Sequence, residues 1–433
     1  MVSNKRYRQV EVGNRNYTEA AVAIIGAGMS GKAPLSAYMG YSIAKATGLH
    51  RNVHGHQFVE ERYPQLLNSH LYSYSFEQNP SWSRLYPSQE EILMYLHDVA
   101  EKYKLFRYIG FNSTVEARWD DDVRIEDFQG RIIHSARWDW TYDIKGKRVG
   151  IVGNGATAAQ IIPVIPRLDT GIPKLVRTLF QYFPPSLWKL RSWMMDMRES
   201  SHDVIADQNS EYAVRARTIS LSLMKKQFPN RPELWEKLIP DYPMGCKRVI
   251  ISDDYFPTFL RDNVTLETRP ITEITENGIN VDGAAHEFDV IVLATGFRTV
   301  EFMHPIQVYG INGRALSDIW SGGARALYGI AAESLPNFGM LYGPNTNLGH
   351  NSIILMIEAQ AKYIQAMISA VLQARQVGES LKILPDPKRM ESFNDKLQSV
   401  LGTTSFAHPN CRSWYKRADG RVTNNWSGTV VQY

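Results

Sequence analysis

Cysteine is nearly absent. Cys246 and Cys411 are the only two in 433 residues, too few for a disulfide scaffold or a thiolate metal cluster. The expectation is a reducing, cytoplasmic setting. Long apolar runs are also lacking. No stretch approaches the roughly 20 residues that a membrane-spanning helix needs, so no integral membrane segment is expected. The opening stretch MVSNKRYRQVEVGNRNYTEA holds no apolar core of the secretory-signal kind. The net charge is only +4 at pH 7 and no Lys/Arg block stands out, so nothing points to nucleic acid. Low-complexity linkers are missing as well. What remains is an ordinary globular composition, 44% hydrophobic and 21% charged, in a chain long enough for about two to three domains.

A pair of glycine turns organises the chain. Ala20–Gly26 is a wholly apolar run of the kind that forms a central parallel strand. It leads into GAGMSG, where Gly26, Gly28 and Gly31 fill G-x-G-x-x-G. Further on, GKRVGIVG runs into a second turn, with Gly153, Gly155 and Ala158 in the G-x-G-x-x-G/A pattern. In such a turn the first glycine bends the chain and the second lets a pyrophosphate approach the backbone. The small third residue packs the helix on its strand, and the helix N-terminus faces the phosphates. For the first copy, a tight turn without a ligand is the alternative. Pro34 lies inside the helix that should follow it, at a cost of about 3 kcal/mol. The rest of that stretch, through His50, reads as helical. An acidic ribose ligand belongs roughly 20 residues past the glycines. Glu60 and Glu61, after His56–Phe58, are the candidates, or else solvated surface carboxylates.

Local patterns fill in the remainder. Ser88–Glu91 reads as a capping box, followed by Ile92, Leu96, Val99 and Tyr103 at helical spacing. Thr114–Trp119 and Lys174–Gln181 read as strands. Residues 184–240 read as mixed helix laid over the substrate side, with a membrane-lying helix as the alternative. Asn263–Val281 alternates as a strand does, with a hairpin at Asn277-Gly278. Asp289–Gly296 reads as a buried parallel strand ending in A-T-G. A Gly/Asn-rich loop then precedes a long helix starting near His350 or Asn351, with His350 read as a loop hydrogen-bonder.

The most specific signal stands just ahead of the second glycine turn. Phe128, Gly130, His134, Trp138 and Asp139 fit F-x-G-x-x-x-H-x-x-x-W-D. This resembles the fingerprint of Baeyer–Villiger and related flavin-dependent monooxygenases. Ser69–Phe76, Pro80–Arg84, the YPMGCKR segment, the loop before the long helix and CRSWYKRADGRVTNNW are also similar to that family.

The resemblance implies an α/β fold with two dinucleotide-binding, Rossmann-like domains and a helical insertion. Residues 1–139 would be the N-terminal part of an FAD-binding domain, and 301–433 its C-terminal part. Residues 140–183 and 246–300 would form the NAD(P)-binding domain, interrupted by the insertion at 184–245. FAD and NADPH are the implied cofactors, with O2 and a small organic molecule as reactants. By resemblance, Gly26, Gly28, Gly31, Glu60, Thr295, Gly296 and Asn345 bind cofactor on the flavin side. Gly153, Gly155, Ala158, Lys247 and Trp414 do so on the nicotinamide side. Arg248 would face the reacting centre as a permanent cation, and His134 and Trp138 would act at the joint between domains.

The chain departs from the family pattern in places. The G-G-T-W and P-G-x-x-C-D segments have no counterpart, and residues 122–127 stand where a hairpin and an A-T-G strand belong. Tyr182 occupies the usual position of an arginine for the 2′-phosphate. The implied function is an FAD- and NADPH-dependent monooxygenase of secondary metabolism, inserting one oxygen into a ketone or oxidising nitrogen or sulfur. The alternative is a catalytically impaired or repurposed relative with a defective FAD site.

Overall fold

The computed structural model of the chain describes residues 23–25, 47–49, 69–84, 87, 89–110, 128–135, 138–139, 141–162, 172–227, 229–250, 252, 255–296, 300–303 and 306–433. Gly26, Gly28, Gly31, Pro34, Glu60, Ser88 and the stretch 114–119 lie outside these residues. The fold is α/β. Strand β1 (Ala23–Ile25), β2 (Thr47–Leu49) and β3 (Ile109–Gly110) pair in parallel in that order. The apolar run before the first glycine turn is therefore a parallel strand, as read, but among the described residues β2 takes the middle. Thr47–Leu49 was expected to be helix. A strand this short has no period that separates it from a helix end.

Strands β4 (Arg131–His134) and β5 (Val149–Val152) do not pair with each other. The chain first makes an antiparallel meander of β6 (Ile271–Thr275), β7 (Gly278–Val281) and β8 (Ala284–Glu287). It then returns as β9 (Val290–Leu293), parallel to both β4 and β5 and between them. Val290, Ile291 and Val292 are fully buried, as an unbroken apolar run in a central parallel strand should be. The expected hairpin is present, but its strand starts at Ile271, and Thr275 pairs with Gly278 across the turn. Gly278 permits the pairing, since a Cβ there would come 1.9 Å from the His286 carbonyl oxygen.

Helix α1 (Gln89–Lys102) packs Ile92, Tyr95, Leu96 and Val99 in one cluster with Tyr74, Trp82, Ile354 and Ile357. The Glu91 carboxylate accepts from the Ser83 N–H and hydroxyl, each at 2.6 Å. Helix α2 (Ala156–Ile161) follows the second glycine turn. Lys174–Gln181, expected as a strand, is instead helix α3 (Lys174–Tyr182). Its apolar residues fall in pairs four apart, Leu175–Val176 and Leu179–Phe180, which is a helical period. Phe180 is buried and meets His70 edge to face at 5.4 Å. The next stretch is helical as read: α4 (Pro184–Ser200), α5 (Asp203–Ala206), α6 (Glu211–Gln227) and α7 (Pro232–Leu238). The long helix α8 (Ile354–Gln376) begins later than His350, and α9 (Pro387–Leu401) starts with the Asp386 carboxylate accepting from the Arg389 N–H.

The cysteines correct the expectation drawn from their number. Cys246 and Cys411 are both buried and disulfide-bonded, with Cα atoms 5.9 Å apart across 165 positions of sequence. Only the tertiary fold brings them together, so spacing could not reveal the pair. Among the described residues no helix is long and apolar enough to cross a membrane.

Candidate functional site

The second glycine turn and the A-T-G turn lie side by side. The Ala294 N–H donates to the Val152 carbonyl at 2.8 Å. Gly153 has φ +124°, and a Cβ there would come 2.4 Å from the Ala294 oxygen. Gly155 and Gly296 each have open space where a Cβ would stand. Both openings lie at the C-terminal ends of β5 and β9, the edge at which parallel α/β sheets bind ligands. Ala158, on α2, is fully buried, which is the packing role of the third small residue. The Tyr255 hydroxyl donates to Asn154 Oδ1 within the turn.

The fingerprint residues tie β4 to β9. A Cβ on Gly130 would come 2.4 Å from the Phe128 ring and 2.7 Å from the Asp289 carbonyl oxygen. Trp138 is buried with Ile133, Ile161, Val290 and Val292. His134 is half-buried at the end of β4. Asp139 accepts from the Thr141 hydroxyl at 2.6 Å and N–H at 3.0 Å, and pairs with Arg131. These bonds, Thr141 first, hold its carboxyl below the usual range.

A separate cavity of about 190 Å³ gathers the polar groups best placed for chemistry, among them Arg198, Tyr212, Arg248, His350, Asn351 and Ser352. One wall is built by the end of α4 with α5 and α6, another by residues 244–249, and a third by the loop before α8. The Arg248 segment is tied to the C-terminal loop through the Cys246–Cys411 bond. Tyr415 follows on that loop. Burial pushes its hydroxyl up to about 12, and the charge of Arg248 opposes the shift. Lys247 turns elsewhere, its ammonium 4.5 Å from the centre of the Tyr242 ring. Burial lowers its proton affinity, and Asp241 works the other way.

Sequence reasoning treated His350 as a loop residue and overlooked Glu199 and His202. The Glu199 carboxylate joins α4 to the loop: Oε1 lies 2.6 Å from Asn351 Nδ2 and 3.5 Å from His350 Nε2. His202 meets the His350 ring at 5.1 Å. Burial first, and His202 second, lower the His350 pKa to about 4 against the pull of Glu199. His350 is thus neutral at pH 7. Helix α4 also carries Lys189, Arg191 and Asp196, so nothing in the sequence singles out Glu199 or His202.

Asn345 belongs to a second polar cluster. Its N–H donates to the Thr423 carbonyl at 2.9 Å, and its amide donates to the Val422 and Asn425 carbonyls at 2.8 and 2.9 Å. Around it Asn347 Nδ2, Thr423 Oγ1, Asn424 Oδ1 and both amide atoms of Asn425 are buried without a hydrogen bond among the described residues. Buried orphans in such number are rare in a chain that folds for its own sake. Trp414, on the loop after the disulfide, stacks at a tilt on Tyr415 at 4.4 Å and stays partly exposed.

No protein-family model matches the chain. Curated relatives do. The chain is 43% identical to the FAD-binding monooxygenase ktnD of Aspergillus niger, over 98% of this chain and 81% of that protein. The alignment runs over 495 residues, longer than the chain itself, so the relative carries internal stretches with no counterpart here. A Baeyer-Villiger monooxygenase of Streptomyces coelicolor is 31% identical over 84% of this chain and 80% of its own length. Another from Pseudomonas aeruginosa is 32% identical over 85% and 79%. Among solved structures, OTEMO in complex with FAD and NADP superposes with a TM-score of 0.78 at 22% identity, covering 96% of each chain. A steroid monooxygenase bound to NADP gives 0.74 at 23%, covering 95% of each.

Proposed function

The chain belongs to the FAD-binding, Baeyer–Villiger-type monooxygenases, and from that membership we propose that it binds FAD and NADPH and transfers one oxygen atom of O2 to a small organic ketone in secondary metabolism. The observation that carries the reading is the place of Arg248, a permanent cation lining, with Arg198, the cavity beside the loop that precedes α8.

The residues present fit the cofactors. Gly155 and Gly296 leave open the space that a dinucleotide backbone needs. The unpaired amides of Asn347 and Asn425 offer donors and acceptors, matching the alternating carbonyls and N–H of a flavin's polar edge. We assign Gly153, Gly155, Ala158, Lys247 and Trp414 to the nicotinamide cofactor. Gly26, Gly28, Gly31, Glu60, Thr295, Gly296 and Asn345 are assigned to FAD. The domain division follows: an FAD unit from residues 1–139 and 301–433, and an NAD(P) unit from 140–183 and 246–300 carrying the helical insertion 184–245. Some FAD-domain segments are shortened relative to the family, and the setting is cytoplasmic, where NADPH is supplied. Burial of both sulfurs shields the Cys246–Cys411 bond from small reductants there.

Bound flavin, reduced by the nicotinamide, supplies the activation of O2. The chain's own residues do the rest. Arg248 holds negative charge as it develops on the ketone oxygen, and it cannot lose its proton in doing so. The apolar walls from α5 and α6 exclude water, which strengthens that charge interaction. His350, neutral at pH 7, adds no competing cation. Trp138 and His134 hold the sheet together at the joint and do not touch substrate.

The experiment is spectroscopic. Protein purified with added FAD should show the flavin band and bleach with NADPH in the absence of air. A colourless protein that takes up no FAD would favour the impaired relative.

A further inference from the structure

We propose that the substrate of the Arg248 cavity carries an anionic oxygen, a carboxylate or phenolate, and that Arg198 binds it while Arg248 faces the reacting carbonyl. The proposal rests on the function given above. Arg198 and Arg248 both line the cavity, and among the described residues no carboxylate does. The acid nearest in sequence is unavailable. Glu199 is committed to Asn351 at 2.6 Å and to the Val431 N–H at 3.4 Å. Adjacent residues on a helix do not face each other, so Arg198 cannot turn back to it. Among the described residues the Arg198 side chain makes no ion pair and no hydrogen bond; only its carbonyl is engaged, by Ser201. Its charge nonetheless reaches the interior, because it is one of the groups that lower the proton affinity of His350.

A half-buried arginine lining a cavity, with no counter-ion among the described residues, is a costly arrangement unless a ligand supplies the charge. Family chemistry needs one cation for the reacting oxygen, which Arg248 provides. Arg198 is surplus to that step and stands on a different wall. The rest of the lining, Leu71, Val204, Ile205, Met244 and Leu348, suits a ring or chain of hydrocarbon. The implied substrate is therefore an apolar ketone with one anionic oxygen set apart from the carbonyl. The same chemistry could come from a phosphate of the nicotinamide cofactor, and the test separates the two sources.

The test is a calorimetric titration of the purified, FAD-supplemented protein with 4-acetylbenzoate and with its methyl ester. The acid should bind about 10- to 100-fold tighter than the ester, the range of a charge-assisted bidentate bond. Arg198→Gln should abolish that gap, and Arg198→Lys should keep part of it. Equal affinity for the two compounds in the wild type, no binding of the acid, or an unchanged gap in Arg198→Gln would overturn the proposal. So would a loss of NADP+ affinity in Arg198→Gln with the acid–ester gap intact, since Arg198 would then belong to the cofactor. If Arg198→Gln does not fold, as judged by circular dichroism, the wild-type gap and its abolition by saturating NADP+ decide between substrate and cofactor. A gap that survives NADP+ supports the substrate; a gap that vanishes overturns it. Because the readout is binding, a protein that lacks flavin or turnover defeats the functional reading without touching the anion preference.

Discussion

Cys246 and Cys411, 165 positions apart, are joined by a disulfide that fastens the Lys247–Arg248 segment to the loop bearing Trp414 and Tyr415. The bond closes a long stretch of chain, so its loss should lower stability by about 2–4 kcal/mol. The check is denaturant unfolding of the Cys246→Ser/Cys411→Ser double variant beside the wild type. Equal stability of the two, with mass spectrometry finding two free thiols in the wild type, would contradict the pairing.

The two glycines of the second turn should respond differently to alanine. Gly153 has φ +124° and the Ala294 oxygen in its way, so Gly153→Ala should cost at least about 1–3 kcal/mol. Gly155 has φ −93° and free space, so Gly155→Ala should fold as the wild type does. Its methyl group would instead stand in the proposed pyrophosphate path and raise the KM for NADPH. Thermal melts and steady-state kinetics check the contrast, and equal melting of the two variants would contradict it.

Arg248→Gln removes the cation from the cavity. Oxygenation should fall by about 100-fold or more, while NADPH consumption continues without product. Product analysis alongside the decay of NADPH absorbance reads the split. A parallel fall in both rates would instead place Arg248 in cofactor binding.

How much of this was legible depends on whether the deciding contacts are local. Helix α1 and β9 follow from short-range periods, and the structure places them where those patterns pointed; the meander turn is present but falls one residue earlier, at Glu276-Asn277, with Gly278 already in β7. The fingerprint was legible as a pattern, but its physics was not. Gly130 is required because the Phe128 ring folds over it, and Trp138 because it packs under β9. Helix α3 was misread because a short apolar segment fits two periods. The disulfide, the Glu199–His350 contact and the unpaired amides around Asn345 all join distant segments, and no local rule reports such contacts.

Stability should fall as the solution is made acidic. Burial holds both His70 and His350 at a pKa of about 4, with Arg191 reinforcing the first and His202 and Arg198 the second, against Glu199. The folded values lie below the ordinary 6.5, so between these limits the unfolded chain binds more protons. Stability is then complete above about pH 6.5 and declines toward pH 4, on the order of 3 kcal/mol for each ring and about 6 kcal/mol for the two together. Urea midpoints across that range measure the slope, and His350→Gln should flatten it. A midpoint that rises on acidification would contradict the burial of both rings.

The central claim is that this chain is a working monooxygenase. The most direct measurement is mass spectrometry of the product formed from a ketone with FAD, NADPH and ¹⁸O2. The account expects an ester or lactone carrying one ¹⁸O atom per molecule, formed only when NADPH is present. NADPH oxidation that yields no labelled product from any ketone in a broad panel, in a protein shown to hold flavin, would contradict it.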